Sequence, residues 1–311
     1  MRCILRKNGS VALIERLVAP AAIFLLSTLS LTSCQRARLN CRFEDPGCSD
    51  SGLLAMLQIL SVPLYVYWGD MNTNTIYRVK DGAESPETFL NLGAIPYRFA
   101  FTSDAQTLFV ANSTTVYSVT ISDKSYSQIS NVFSDVNSLV VVEKLSKIYY
   151  SDNGSGQVDT TNLDGSGYAN VHNPGSNGGM DIDEINDFQY IANSSQIVRY
   201  NMDGSGATAV VGTTGAAVED IELDNIGQRI FWVDRTNGEM RRADVDGSNE
   251  TLLVSSIGSA RGVAFHPSSP YLYYCDAGIQ SIVRTLRDGS SPLIIATAMA
   301  CRDVDFAPVA N

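Results

Sequence analysis

Two short stretches set carboxylates in alternation with apolar residues, 220–223 (DIEL) and 303–306 (DVDF), and a third, 180–183 (MDID), does the same around Asp181. In a strand, side chains two residues apart share a face, so each stretch offers one apolar face and one acidic face. If Asp181, Glu222 and Asp305 lean into a common channel, they can bind a hard cation such as calcium, which takes carboxylate and carbonyl oxygens. The plainer expectation is that they face water and hold no metal.

Other chemistries find little support. The chain has only two histidines, His172 and His266, both in loop-like contexts, and histidine is the commonest acid–base catalyst. No serine nucleophile elbow is present, and the glycine-rich runs NGSG and PGSNGG precede no helix that would complete a phosphate cradle. Zinc is not expected, because the cysteines form no C-x2-C pair and have no histidine partner. A net charge of −11, with no Lys/Arg run after the first forty or so residues, argues against a nucleic-acid partner.

The acids must be positioned by elements that repeat. Six aromatic segments end in Asp or Asn: YWGD at 67–70, FVAN at 109–112, YYSD at 149–152, YIAN at 190–193, FWVD at 231–234 and YYCD at 273–276. Their last residues are spaced by 42, 40, 41, 41 and 42. A period near forty with no helical segment indicates a propeller built of four-stranded blades. In the sixth unit the strands are expected at 262–265, 271–276, 281–286 and 292–296, with an Asp-Gly turn between the last two. The first unit lacks an innermost strand, while 303–306 is an innermost strand with no blade after it. Placing that strand in blade one closes a ring and removes two open edges. The expected fold is all-β, a six-bladed β-propeller over 63–309, closed by the C-terminal strand.

These units resemble the YWTD, or class B, repeats of the low-density-lipoprotein-receptor family. The likeness lies in the aromatic strand ending in Asp and in the Ile-x-Arg-x-x-Leu-Asp-Gly that follows it. This chain carries Ile197, Arg199, Met202, Asp203 and Gly204, then Met240, Arg242, Val245, Asp246 and Gly247, then Ile282, Arg284, Asp288 and Gly289. The resemblance implies the fold. The residues themselves are expected to be scaffold: aromatic rings buried between blades, and carboxylates that accept backbone hydrogen bonds in turns.

The N-terminus has the character of an export segment. Arg2, Arg6, Lys7 and Arg16 precede an uncharged run that ends in Leu31, Thr32, Ser33 and Cys34, similar to a bacterial lipobox. Residues 1–33 are then a lipoprotein signal peptide, and Cys34 carries lipid and anchors the chain to a membrane without spanning it. Removing that segment takes away four basic residues and one acid, so the net charge of −11 becomes −14. The polar stretch that follows, within 34–62, is expected to act as a tether. Export brings the thiols into an oxidising compartment, where Cys41–Cys48 and Cys275–Cys301 are the simplest pairings among three connectivities. Gln35 after the lipidated cysteine is not the Asp associated with inner-membrane retention, so an outer-membrane or surface location in the bacterial envelope is favoured.

In such a ring, one face gathers the loops that enter the innermost strands and those that follow the aromatic strands. Tyr97, Arg98, Asn137, Glu219, Arg235, Arg261 and Arg302 belong to those loops and strand ends, and are the expected binding face. The expected function is a non-enzymatic platform for a protein or glycan partner. The competing expectation is a calcium-dependent hydrolase, lactonase or lyase, of the gluconolactonase-like kind, acting in the channel.

Overall fold

A computed structural model describes residues 4–7, 10–13, 64–175, 178–193, 196–212 and 217–307. The chain divides into two units, Met1–Val62 and Pro63–Asn311. In the first, β1 (Ile4–Lys7) and β2 (Ser10–Leu13) form an antiparallel hairpin. The expected lipidation site Cys34 and the expected pair Cys41 and Cys48 lie outside the described residues.

The second unit is six antiparallel sheets of four strands. Blade one holds β3 (Tyr65–Asp70), β4 (Thr75–Lys80) and β5 (Glu87–Asn91). Blade two is β6 (Arg98–Phe101), β7 (Thr107–Ala111), β8 (Val116–Thr120) and β9 (Tyr126–Ser130). Blade three is β10 (Val136–Val142), β11 (Lys147–Asp152), β12 (Gln157–Asn162) and β13 (Ala169–His172). Blade four is β14 (Met180–Asp183), β15 (Phe188–Asn193), β16 (Gln196–Asn201) and β17 (Thr208–Gly212). Blade five is β18 (Val218–Asp224), β19 (Arg229–Asp234), β20 (Glu239–Asp244) and β21 (Thr251–Val254). Blade six is β22 (Ala260–Phe265), β23 (Tyr271–Asp276), β24 (Ser281–Leu286) and β25 (Leu293–Ala296).

The closing strand β26 (Val304–Ala307) completes blade one, with Val304 opposite Trp68 and Phe306 opposite Val66. The innermost strands touch in the order β26, β6, β10, β14, β18, β22 and back to β26, so the ring is closed. A disulfide joins Cys275 on β23 to Cys301, just ahead of β26, with Cα atoms 5.9 Å apart, and so ties blade six to the closing strand.

The core lies between blades. One cluster joins Tyr273, Cys275 and Ile282 of blade six to Val66, Trp68 and Val304 of blade one. Trp68, Trp232, Tyr150 and Tyr273 are fully buried, and each such side chain contributes roughly 2 to 3 kcal/mol by leaving water. The tyrosines also reach between blades: the Tyr273 hydroxyl donates to Asp81 Oδ1 at 2.9 Å and accepts from the Gly82 N–H at 2.9 Å, capping the Asp-Gly turn of blade one.

The strand-end carboxylates are turn anchors. Asp234 Oδ1 accepts the N–H groups of Thr236 and Asn237 at 2.9 and 3.0 Å. Asp152 goes further, accepting from Ser134 and Asp135 in the loop that enters its own blade, at 2.8 and 2.9 Å. The Asp-Gly turns need their glycine: Gly247 has φ +86, and a Cβ there would stand 1.9 Å from the Val210 carbonyl oxygen of the neighbouring blade.

The innermost strand of blade six begins at Ala260, two residues before the expected start, because an extra residue is absorbed at Arg261 and Gly262 before pairing resumes as Ala260 opposite Asp276. Similar bulges place Asn137 in β10 and Glu219 in β18 without a cross-strand partner on the adjoining aromatic strand.

Candidate functional site

A cavity of about 210 Å³ runs along the inner strands, lined by Asp181, Glu222 and Asp305 together with Asp220 and Asp303. Alternation does turn these acids to the axis, yet three of them are spent on the ring itself. Asp303 Oδ2 accepts the Phe99 N–H at 2.8 Å, Asp220 Oδ2 the Val263 N–H at 3.0 Å and Asp181 Oδ2 the Leu223 N–H at 2.8 Å. Ser138 Oγ does the same for the Met180 N–H at 2.9 Å. Each such bond clips one inner strand to the next.

Burial pushes all five carboxyls up in pKa. Asp181 rises to about 7. Asp220, Glu222 and Asp305 are held well above the ordinary carboxylate range, by burial first and then by one another's charge. Asp303 is also raised by burial, against the opposing pull of Arg98. For calcium the geometry is poor: among the described residues no three His, Cys, Asp or Glu side chains stand close enough to hold a metal ion. Asp181 spends its second oxygen on the Ile182 N–H at 2.7 Å. A cation is already supplied by the protein, since Arg98 Nη1 lies 3.7 Å from Asp220 and 3.8 Å from Asp303.

Arg98 links the channel to its mouth, and all seven expected face residues meet there in one connected network. Arg98 Nη2 donates to Asn137 Oδ1 at 3.1 Å and to the Glu219 carbonyl at 2.9 Å. Arg302 donates to the same Asn137 oxygen at 2.9 Å and lies over the Tyr97 ring at 4.9 Å. The Glu219 carboxylate pairs with Arg235 at 3.0 Å and Arg261 at 3.4 Å. Five of the six blades contribute. The bulges explain why Asn137, Glu219 and Arg261 arrive at this place, since an extra residue re-aims the strand end towards the axis.

Asp220 and Asp303, the partners of Arg98, are not among the expected face residues. A signal for them exists: Arg98 and Asp220 lie opposite the residue before the terminal Asn112 or Asp234 of their aromatic strands, and Asp303 stands one residue before the Val304–Trp68 pair, so one cation and two acids occupy matching places in three blades. The histidines are elsewhere. His172 Nε2 lies 3.2 Å from Gln189 Oε1, His266 Nδ1 accepts the Ser268 N–H in a turn, and neither lines the cavity.

No family model matches the chain. Solved structures do match: a chain from the crystal structure of the nidogen/laminin complex agrees with a TM-score of 0.72 at 13% identity, over 80% of this chain and 99% of that one. TolB from Acinetobacter baumannii agrees with a TM-score of 0.64 at 16% identity, over 84% of this chain and 72% of TolB. At these identities the likeness is one of fold. The six-bladed YWTD-type propeller expected from the repeats is the fold found. Among the described residues no helix is long and apolar enough to cross a membrane.

Proposed function

We propose that this chain is a non-enzymatic binding platform of the bacterial envelope, held at the outer membrane or cell surface by lipid on Cys34, with a protein partner docking on the arginine-lined mouth of the propeller. The observation that carries this reading is the convergence of seven polar side chains from five blades on one face, around a channel in which three of the five acids are engaged with backbone and two of those also lie beside Arg98. The match to a chain of the nidogen/laminin complex adds a precedent of fold, since that chain was crystallised in a complex of two proteins.

Cross-linking in intact cells tests both halves of the proposal. A partner trapped by the wild-type chain should be lost on the double change Arg235→Glu, Arg261→Glu in a variant whose cooperative melt shows that it is still folded, and Cys34→Ala should abolish palmitate labelling and release the chain from membranes. Cross-links that survive the charge reversal would remove the face from consideration.

A second reading has one observation in its favour. A carboxyl with its pKa near 7, like Asp181 in the channel, suits general acid–base work at neutral pH. A calcium-dependent hydrolase, lactonase or lyase would show turnover in a lactone screen with and without calcium, and no turnover in either arm would dismiss it.

A further inference from the structure

Among the described residues, the mouth has fewer hydrogen-bond acceptors than its guanidinium donors call for. Four guanidinium groups, those of Arg98, Arg235, Arg261 and Arg302, meet there. Among the described residues, the acceptors that reach them are the Glu219 carboxylate, shared by two arginines, the Asn137 amide oxygen, shared by two, and the Glu219 carbonyl. Asp135 adds a second negative charge within range of Arg302. Arg98 is 2% exposed. Its Nε and Nη1 atoms nevertheless have no hydrogen-bond partner, nor has Arg302 Nε, and the two acids beside Nη1 stand beyond hydrogen-bond distance. Buried donors left unpaired are rare, because each forfeits its hydration without replacement. Burial and the charge of Arg98 also hold the Arg302 guanidinium below its usual pKa, as expected where positive charges crowd.

A group that brings oxygen acceptors and negative charge would relieve both conditions at once. A planar carboxylate matches the forked guanidinium donors, and bonds in which both partners are charged are the stronger kind. Around the arginines the same loops expose apolar side chains. Ile95 is 37% exposed in the loop leading to β6, Val132 54% in the loop leading to β10 and Ile279 54% in the turn after β23. A polyanionic glycan makes no use of these, whereas a peptide with apolar residues flanking its acid does.

We infer that the mouth is a receptor for an acidic peptide segment, with one Asp or Glu carboxylate received by Arg302, Arg261 and Arg98 and its apolar neighbours laid on the surrounding loops. This rests on the platform proposed above and specifies its partner. The net charge of the chain makes the feature more selective: a protein at −11 repels most acidic ligands, so an acidic segment gains only where the arginines are gathered.

Fluorescence polarisation on the full chain tests this with labelled nonapeptide pools that carry a central Asp or Glu between Ile, Leu and Val, with matched pools carrying Asn or Gln, and with polygalacturonate. The acid pools should bind in a salt-sensitive manner and the amide pools about ten-fold or more weakly. Arg261→Gln, at a half-exposed position where Arg235 remains to pair with Glu219, should weaken the acid pools with little change in melting temperature. Arg302→Lys should restore only part of the affinity lost in Arg302→Gln, because charge returns without the fork. Equal binding of acid and amide pools, preference for polygalacturonate, or no binding of any pool would each overturn the inference. None of these would touch the platform proposal, which stands or falls on the charge-reversal cross-linking.

Discussion

At the scale of single residues, the channel acids decide how the molecule responds to pH. A carboxyl whose pKa is higher in the folded chain than in the unfolded one, about 4, retains a proton in the fold that the unfolded chain has lost. Its contribution to stability is therefore complete at pH values below about 4 and disappears as pH rises through the folded value. For Asp181 that window closes near pH 7, and Asp220, Glu222 and Asp305, also raised by burial, act in the same direction. The turn aspartates act in the opposite direction: Ser134 and neighbouring N–H groups hold Asp152 low, against the effect of its burial, so its stabilisation is present above the unfolded value and is lost on acidification. Melting temperature should accordingly be several degrees higher at pH 5.5 than at pH 8, as differential scanning calorimetry would show. A flat profile across that range would mean that the channel acids are solvated and ordinary. Arg98, Asp220 and Asp303 are legible in the sequence as matching strand-end residues, but their ion pairing is not, because it needs three blades to face one axis.

At the scale of the strand and turn, what the sequence reveals is what each blade settles locally. The aromatic strand with its terminal Asp or Asn lies within one repeat and recurs six times, and the Asp-Gly turn recurs in five of the six, so period and blade count follow from chemistry that is adjacent in the chain. The bulges at Asn137, Glu219 and Arg261 escape such reasoning, since a bulge exists only relative to the residue count of the facing strand. The Asp-Gly turns make the local demand testable. Gly247→Ala meets both a positive φ and the Val210 carbonyl, and should destabilise the chain by about 1 to 3 kcal/mol or more in denaturant melts. Gly212→Ala, where a Cβ would meet nothing within 4 Å, is the control and should leave the midpoint near that of the wild type. Equal effects at the two sites would show that backbone crowding is not what selects glycine.

At the scale of the whole propeller, closure is secured twice. Strand β26 supplies the missing inner strand of blade one, and the Cys275–Cys301 disulfide holds the approach to it in place. The bond spans 26 residues, a loop for which chain-entropy arguments give about 3 to 4 kcal/mol. Cys301→Ser should lower the melting temperature by roughly 10 °C, given about 2 to 4 °C per kcal/mol for a domain of this size. Dithiothreitol added to the unfolding reaction should bring the wild type to the same point and leave the variant unmoved. Charge is also sorted between the two ends of the channel. The arginines gather where the inner strands begin, while Asp123, Asp164, Asp203, Asp246 and Asp288 stand exposed on the turns at the opposite end, each kept ionised by bonds from the serine two residues on.

Because Val304 pairs with Trp68, the first blade waits for a strand more than two hundred residues downstream. Until that strand has emerged, the ring has a gap, and each blade beside it keeps an unsatisfied edge. A chain made from one end to the other therefore cannot close its ring, or bury the edges that closure removes, until almost the whole of it has been synthesised.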